Sequence, residues 1–261
     1  MIRTVRRALR AGLLILWSAL CIPVYDVGLL FTRREMHWRT RAAKAWSKGV
    51  AHILAMRIRV IGTPPEGAFL LVTNHLSYVD AILLLTQVRG FFIGREDTAN
   101  WPLVKWVIRR SGTLFLNRDR RADVRRISDR MEDVLQQDSG LILHLEATTS
   151  LGEGVRPFKS GLLELAARQE RPVETAVIRY STPHGEAPAQ ESVCWFGPMP
   201  FKQHILGLLG LKYFEATLIF PGEPIVHSDR KVLARLLQTQ VEDHFVPVYT
   251  PEEATATASQ T

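Results

Sequence analysis

A histidine and an aspartate stand five positions apart in residues 74–80, which read Asn-His-Leu-Ser-Tyr-Val-Asp. The apolar run at 70–73 just before them predicts a buried strand, and a helix is predicted to begin within the segment. A compact turn would bring the Asp80 carboxylate to one imidazole nitrogen of His75 and leave the other nitrogen free as a base. The alternative is that Asp80 only caps the helix and His75 is an ordinary loop residue.

The type of catalysis follows from what surrounds this pair. A carboxylate beside the imidazole would stabilise the imidazolium that forms when a proton is taken. Ser77 does not lie in a nucleophile elbow, and the sequence offers no obvious serine or cysteine with a partner base. These features favour activation of a hydroxyl on the substrate itself over a covalent intermediate on the enzyme.

An anion-binding group is predicted at the end of a second strand, where residues 112–118 read Gly-Thr-Leu-Phe-Leu-Asn-Arg. The guanidinium of Arg118 at the sheet edge would suit a two-pronged grip on a phosphate. Lys105 and Arg95 could add positive charge, although each alone reads equally well as a solvated surface residue. The alternative for Arg118 is a surface arginine beside Asp119.

The elements that must position these residues predict an α/β domain, with a largely parallel or mixed central sheet flanked by helices. Active sites of such sheets gather at the carboxyl ends of strands. The predicted strands are Ile58–Ile61, Phe69–Thr73, Phe91–Gly94, Thr113–Leu116, Leu141–Leu145, Glu174–Tyr180, Val193–Phe196 and Glu215–Phe220. The predicted helices are Val79–Val88, Trp101–Arg110, Arg121–Gln137, Gly161–Gln169, His204–Gly210 and Lys231–Phe245.

Bulk composition narrows the classes of protein further. Of the 261 residues, 46% are hydrophobic and 23% are charged, which excludes a disordered or fibrous chain. The two cysteines, Cys21 and Cys194, form neither a metal-binding motif nor a disulfide framework, which suits a reducing compartment. The histidines lack paired ligand spacing, so no metal site is predicted, and His144 is expected to be a satisfied core residue. The formal net charge of +7 predicts an anionic partner.

The amino terminus indicates that this partner is a membrane. Four arginines precede an apolar stretch, Ala11–Tyr25, and two more follow it. Pro23 and Asp26 interrupt the stretch before a full bilayer span of about 20 apolar residues is reached. We therefore expect an uncleaved anchor or a re-entrant segment that enters and leaves by the cytoplasmic face. A signal peptide is conceivable but lacks a convincing cleavage site, and the remaining alternative is a buried helix of a soluble domain.

A second segment, Trp38–Arg59, carries apolar residues at helical spacing among basic ones. Basic amphipathic helices of this kind lie on anionic membranes, although a core-facing helix with a solvated basic face fits almost as well. The basic residues accompany apolar segments without aromatic-interleaved patches, so a nucleic-acid partner is not predicted. The expected organisation is membrane-anchoring helices over 1–57, a catalytic α/β domain over 58–246 and a disordered tail over 247–261.

Taken together, three blocks of sequence resemble the glycerolipid acyltransferase family, best known for the 1-acylglycerol-3-phosphate acyltransferases. The first block is the Asn-His-x-x-x-x-Asp pattern of residues 74–80, and the second is Gly112–Arg118. The resemblance extends over roughly residues 50 to 226. It implies that His75 is the general base, that Asp80 orients it, and that Arg118 holds the phosphate of the acceptor.

The third block, residues 143–150, reads Leu-His-Leu-Glu-Ala-Thr-Thr-Ser and departs from the family at two positions. Ala147 stands where glycine is usual, so we expect a backbone that does not need a positive φ there. Thr149 stands where arginine is usual, which removes one phosphate contact that Arg156 or Lys159 could replace. Besides Arg118, the positions assigned to substrate binding are Asn74, Ser77, Lys105, Gly112, Glu146, Thr148 and Thr149.

The resemblance implies acyl transfer from acyl-CoA or an acyl-carrier protein to the free hydroxyl of a lysolipid, without a metal or bound cofactor. The leading acceptor is 1-acyl-sn-glycerol-3-phosphate, which would give phosphatidic acid. Thr149 prompts an alternative, a phosphate-free lysolipid such as lyso-ornithine lipid. The alternative from a different functional class is a membrane-binding module without catalytic activity. The expected location is the inner membrane, with the catalytic domain facing the cytoplasm.

Overall fold

The computed structural model describes residues 1–95, 110–116, 121–197 and 199–248, and it omits the side chains at 95, 116 and 121–125. The predicted helix Trp101–Arg110, apart from its last residue, and the sites Lys105 and Arg118 lie outside these ranges. The tail from 249 onward does so too.

Two long helices open the chain, α1 (Ile2–Phe31) and α2 (Glu35–Ile53). Helix α1 continues through Pro23 and Asp26, so our expectation of an interrupted segment was wrong. A proline removes only one helical hydrogen bond, and the packing of α1 on α2 stabilises the turns around it.

These two helices approach closely because glycines face tryptophans across the contact. A Cβ added at Gly49 would lie 2.2 Å from Trp17, and one at Gly28 would lie 2.0 Å from Trp38. The indole of Trp17 also donates to the carbonyl of Trp46 at 3.0 Å. The pair is therefore a tightly packed helical hairpin.

The described residues form a seven-stranded sheet in the order β1-β7-β6-β2-β5-β3-β4. Neighbouring strands run parallel except β6 and β7, so the predicted largely parallel α/β sheet is confirmed. The strands are β1 (Met56–Ile61), β2 (Leu70–Thr73), β3 (Gly90–Arg95), β4 (Leu114–Leu116), β5 (Gly140–Leu143), β6 (Val173–Ser181) and β7 (Phe214–Ile219).

Helices cover both faces of the sheet. One apolar cluster joins α2, α3 (Val79–Gln87) and α7 (Phe201–Gly210) to one face. A second cluster joins α4 (Arg121–Gln136), α5 (Glu164–Arg168) and α8 (Arg230–His244) to the other. This arrangement completely buries β2 and β5, the strands that precede the chemistry-bearing segments.

Two element predictions were wrong. Residues 193–196 are not a strand: they follow the short helix α6 (Ala189–Ser192), and the amide of Trp195 donates to the carbonyl of Leu76 at 2.9 Å. This segment is apolar because it packs against the loop after β2. The predicted helix Gly161–Gln169 is a 3₁₀ turn, Ser160–Leu163, followed by α5.

Helix α1 leaves much of its apolar surface uncovered. It is long and apolar enough to cross a membrane by length and composition, and only 6% of its most apolar 18-residue window is buried. Eight of its exposed apolar residues recur every three or four positions along one side: Val5, Leu9, Leu13, Leu16, Leu20, Val24, Val27 and Phe31. A core helix would bury this side, so the buried-helix alternative is not supported.

Candidate active site

The centre of the site is the loop between β2 and α3. His75 Nδ1 lies 2.8 Å from Asp80 Oδ2, with the Asp80 side chain fully buried and that of His75 22% exposed. The two residues meet because α3 begins immediately after the loop and carries Asp80 in its first turn. The imidazole is held at one nitrogen by a buried carboxylate and is accessible from the sheet edge, as a general base requires.

Asp80 also organises the loop backbone. Its Oδ2 accepts hydrogen bonds from the amides of Leu76 at 2.7 Å and Ser77 at 3.0 Å, and its Oδ1 accepts one from the Tyr180 hydroxyl at 2.8 Å. These amides precede α3, and no side chain caps that helix, so the reading of Asp80 as only a helix cap is not supported. With both oxygens satisfied by donors, the carboxylate is a fixed partner for His75.

The same loop is held from three other directions. The His75 amide donates to Glu146 Oε1 at 3.0 Å, and the His75 carbonyl accepts from the Ser150 amide at 3.0 Å. Asn74 clamps β6, since its side chain donates to the carbonyl of Ile178 at 2.9 Å and accepts from its amide at 2.7 Å. The amides of residues 75, 76 and 77 all donate to carboxylates, so they are not available to a developing oxyanion.

Two predicted substrate-binding residues of this loop are thus buried. Asn74 is 1% exposed, and Ser77 is fully buried with its Oγ accepting from the Val79 amide at 3.3 Å. These contacts shape the loop that presents His75.

His144 covers one face of the His75 imidazole. Its ring is stacked on that of His75, with centroids 3.9 Å apart and planes 9° from parallel, and Phe92 stacks behind it at 5.9 Å. The expected hydrogen-bonded core residue is confirmed in part: the His144 ring has hydrogen bonds with the backbone of Thr73 and Asn74, while its Nδ1 is buried without a partner among the described residues. Burial, followed by the charge of His75, holds the pKa of His144 well below its usual value, so it stays neutral.

Glu146 stands beside this pair at the end of β5. It is 4% exposed, and its Oε2 has no partner among the described residues. Burial raises the pKa of Glu146 to about 8, against the opposing effect of the hydrogen bond from the His75 amide. The carboxyl therefore takes up a proton in the neutral range.

The backbone after Glu146 overturns one of our expectations. Ala147 adopts a φ of 68°, in the left-handed region that side chains avoid. The turn therefore requires the positive φ that the family's usual glycine adopts freely, and alanine sits there under strain. The hydrogen bonds of Glu146 and Ser150 to His75 fix the turn from both sides.

The remaining predicted substrate-binding residues lie around this centre. Gly112 has a φ of 75°, and a Cβ there would lie 2.5 Å from the Phe91 ring. Thr148 is exposed and Thr149 is partly exposed. The guanidinium of Arg156 lies over the Phe196 ring, 5.0 Å from its centroid, and its charge lowers the pKa of Glu146, which places a cation near this carboxyl. Of the predicted cations at the rim, Arg118 and Lys105 fall outside the described residues.

Among the described residues of this site, neither the thiol of Cys194 nor the one group with metal-ligand spacing is well suited to catalysis. Cys194 is fully buried, and burial and the charge of Asp80 raise the pKa of its thiol far above the reactive range. His75, Asp80 and His144 bring three possible ligand atoms within 4.8 Å of one another. However, hydrogen-bond donors already engage both oxygens of Asp80, which leaves it a poor metal ligand.

An aromatic cluster that sequence reasoning missed supports the loop from the α7 side. The Tyr78 hydroxyl lies 3.0 Å from His204 Nδ1, and the Tyr78 ring packs against Trp195 and Phe201. Burial lowers the pKa of His204 to about 4. Tyr78 was the sequence feature that could have pointed to this cluster, but the sequence does not show which residues it contacts.

Comparison with known proteins agrees with this geometry. Residues 57–179 match the model of the Acyltransferase family. The chain is 30% identical to a lyso-ornithine lipid O-acyltransferase of Brucella abortus, over 92% of this chain and 94% of that protein. It is 30% identical to a 1-acyl-sn-glycerol-3-phosphate acyltransferase of Neisseria gonorrhoeae over 59% of this chain and 61% of that one.

The fold is also that of a solved relative. The crystal structure of the 1-acyl-sn-glycerophosphate acyltransferase of Thermotoga maritima superimposes with a TM-score of 0.63 at 20% identity, covering 92% of this chain and 97% of that one. The family match, the relative that extends over nearly the whole chain and the paired His75 and Asp80 lead to one conclusion: this chain belongs to the acyltransferase family and is an O-acyltransferase of lipid biosynthesis.

Proposed function

We propose that this enzyme transfers a fatty acyl group from a thioester to the free hydroxyl of a lyso-ornithine lipid, with His75 as general base. The observation that carries the chemistry is the 2.8 Å contact of His75 Nδ1 with Asp80. Among the described residues, nothing hydrogen-bonds to Nε2 of the same ring, which leaves that nitrogen for a substrate hydroxyl.

The proposed reaction is one acyl transfer without a covalent enzyme intermediate. His75 Nε2 takes the proton of the acceptor hydroxyl as the oxygen attacks the thioester carbonyl carbon. Asp80 remains ionised and stabilises the imidazolium. The tetrahedral intermediate then expels the thiolate, the imidazolium returns the proton to sulfur, and the products are an ester and a free thiol. The carrier of that thiol is either coenzyme A or an acyl-carrier protein.

Two observations support lyso-ornithine lipid as the acceptor. The relatives that match this chain over about nine-tenths of its length and have bacterial sources are named lyso-ornithine lipid O-acyltransferases, including one of Rhodobacter capsulatus that is 26% identical over 90% of this chain. Thr149 supplies no positive charge where a phosphate-binding arginine is expected, so the site has less charge to offer a phosphate.

The second candidate acceptor is 1-acyl-sn-glycerol-3-phosphate. The block Gly112–Arg118 and the similarity to the enzyme of Neisseria gonorrhoeae favour it. Arg118 would then hold the phosphate, and Arg156, beside Glu146, would supply the charge that Thr149 lacks.

Acyl transfer by one purified preparation to both acceptors, with acyl-CoA and acyl-carrier protein as donors, tests these assignments. We expect faster transfer to lyso-ornithine lipid; faster transfer to 1-acylglycerol-3-phosphate would overturn the acceptor assignment. His75→Ala should reduce transfer by about 10²-fold or more, the range of a lost general base, while the exposed His184→Ala should not. Undiminished transfer by His75→Ala would overturn the assignment of His75 as general base, and absence of transfer by the unchanged protein to either acceptor would indicate a catalytically idle membrane-binding module.

Membrane association follows from the acceptor and from the exposed apolar side of α1. We propose that this side contacts the cytoplasmic face of the inner membrane, where the lipid acceptor resides. Leu16→Ser with Leu20→Ser should weaken co-flotation of the full chain with anionic vesicles, because about 1.5–3 kcal/mol is lost for each exposed leucine that would enter lipid. Serine at the exposed Leu236 of α8 is the control, and equal effects from both changes would contradict the proposed contact surface.

A further inference from the structure

Tyr180 lies outside the sequence motifs and contacts the pair of His75 and Asp80 directly, through Asp80. It lies in β6, 100 positions from Asp80, and its hydroxyl donates to Asp80 Oδ1 at 2.8 Å. The side chain is 1% exposed and packs edge-on against Phe214, with ring centroids 6.1 Å apart. β6 is paired on both sides, to β2 and to β7, so the strand holds the tyrosine rigidly.

We propose that Tyr180 is a positioning residue for acyl transfer, which holds the Asp80 carboxylate so that Oδ2 faces the His75 imidazole. The two oxygens of Asp80 have separate partners: Oδ1 has the hydroxyl of Tyr180, and Oδ2 has His75 Nδ1 and two loop amides. Without the hydroxyl, Oδ1 would be a buried acceptor with no donor, and rotation of the carboxylate would be less restricted.

The same strand fixes the loop and the carboxylate relative to each other. Asn74 is clamped to the backbone of Ile178, two residues before Tyr180. One strand therefore holds the start of the His75 loop through its backbone and the Asp80 carboxylate through the side chain of Tyr180. Burial and the charge of Asp80 raise the pKa of Tyr180, so its hydroxyl keeps its proton and remains a donor.

The hydrogen bond from Tyr180 also stabilises the negative charge on Asp80, the partner of His75. The other titratable groups that face this pair are Glu146, Cys194 and His144, and Arg156 acts on Glu146.

This inference rests on the proposed function, and Tyr180→Phe tests it because phenylalanine keeps the ring and removes only the hydroxyl. In the full chain we expect kcat to fall roughly 10-fold with KM little changed, since the contact acts on the base and not on the lipid. Tyr213→Phe, on the surface under Arg57, is the matched control and should change neither quantity.

A readout independent of activity separates the failure of this inference from failure of the proposed function. In protein with ¹⁵N-labelled histidine, the ring-nitrogen chemical shifts of His75 should differ between Tyr180→Phe and the unchanged enzyme. Unchanged His75 chemical shifts with unchanged kcat would overturn the positioning role. A lower kcat with unchanged His75 chemical shifts and a lower melting temperature would also overturn it, because that combination marks a general loss of structure.

Discussion

The imidazole of His144 lies parallel to that of His75, with 3.9 Å between the ring centroids and 9° between the planes. His144 stays neutral and also stacks on Phe92. Its ring therefore provides a planar surface on which the His75 ring packs. Two contacts therefore fix the orientation of His75: the Asp80 carboxylate at its edge and the His144 ring on its face.

We predict that His144→Phe retains most of the acyl transfer rate, because an aromatic ring at this position still stacks on His75. His144→Ala should lower kcat about 10-fold and cost about 1 kcal/mol in the free energy of unfolding, the typical worth of an aromatic pair. Steady-state kinetics and chemical denaturation of both variants measure this. Equal kcat for His144→Ala and the unchanged enzyme would contradict the role of the stack.

The raised pKa of Glu146 predicts that the protein becomes less stable in alkali. A carboxyl with a pKa of about 8 in the folded state and an ordinary value in the unfolded state binds its proton more tightly when folded. Its contribution is therefore fully present below the unfolded pKa of about 4.5 and is lost as pH rises through about 8. Glu146→Gln should flatten this decline by a few kcal/mol in unfolding experiments at pH 5 and pH 9.

Glu223→Gln is the matched control, since Glu223 is exposed. It should reproduce the pH dependence of the unchanged protein. If Glu146→Gln did the same, the buried carboxyl would not hold its proton as the structure indicates.

The lowered pKa of His204 predicts that the protein becomes less stable in acid. This pKa of about 4 is below the unfolded value of about 6.5, so the unfolded chain binds the proton first. Stability should therefore fall as pH decreases from about 6.5 to about 4, by roughly 3 kcal/mol. His204→Asn, which can still bond to Tyr78, should remove most of this loss, while Asn at the exposed His184 should not. Melting temperatures between pH 7 and pH 4.5 measure the difference, and parallel curves would contradict it.

Ala147 offers a test of backbone strain. Its φ of 68° costs an L-residue about 1 kcal/mol or more that glycine does not incur, so Ala147→Gly should raise stability by about that amount. Ala45, exposed in the middle of α2, is the control, because glycine there should lower stability by about 1 kcal/mol. Unfolding free energies of opposite sign would support this account, and a destabilised Ala147→Gly would contradict it.

The centre of the site could be predicted from the sequence because its key residues follow strands. Residues 74–80 come after β2 and Glu146 comes after β5, and parallel neighbours end at one edge of the sheet. Local spacing in one turn was then enough to anticipate the contact of His75 with Asp80. The predicted phosphate ligand Arg118 lies outside the described residues and remains a prediction.

The other features of the site could not be predicted, because they depend on contacts between distant parts of the chain. Tyr180 and Trp195 contact the loop from positions 100 or more residues away, and no local sequence pattern shows which strands are neighbours. An apolar run at 193–196 was read as a strand, although its residues are apolar because they pack on the loop. At Ala147 the residue type argued against a positive φ, and the hydrogen bonds on either side of it imposed one.

Arg10 connects α1 to the segment between α7 and β7. Buried at 8% exposure, its guanidinium donates to the carbonyls of Leu209, Leu211 and Lys212, where α7 ends and the chain turns into β7. Shortening the amino terminus to obtain a detergent-free catalytic domain would leave these carbonyls without their donor next to the central sheet. We therefore expect removal of α1 to weaken the strand that pairs with β6.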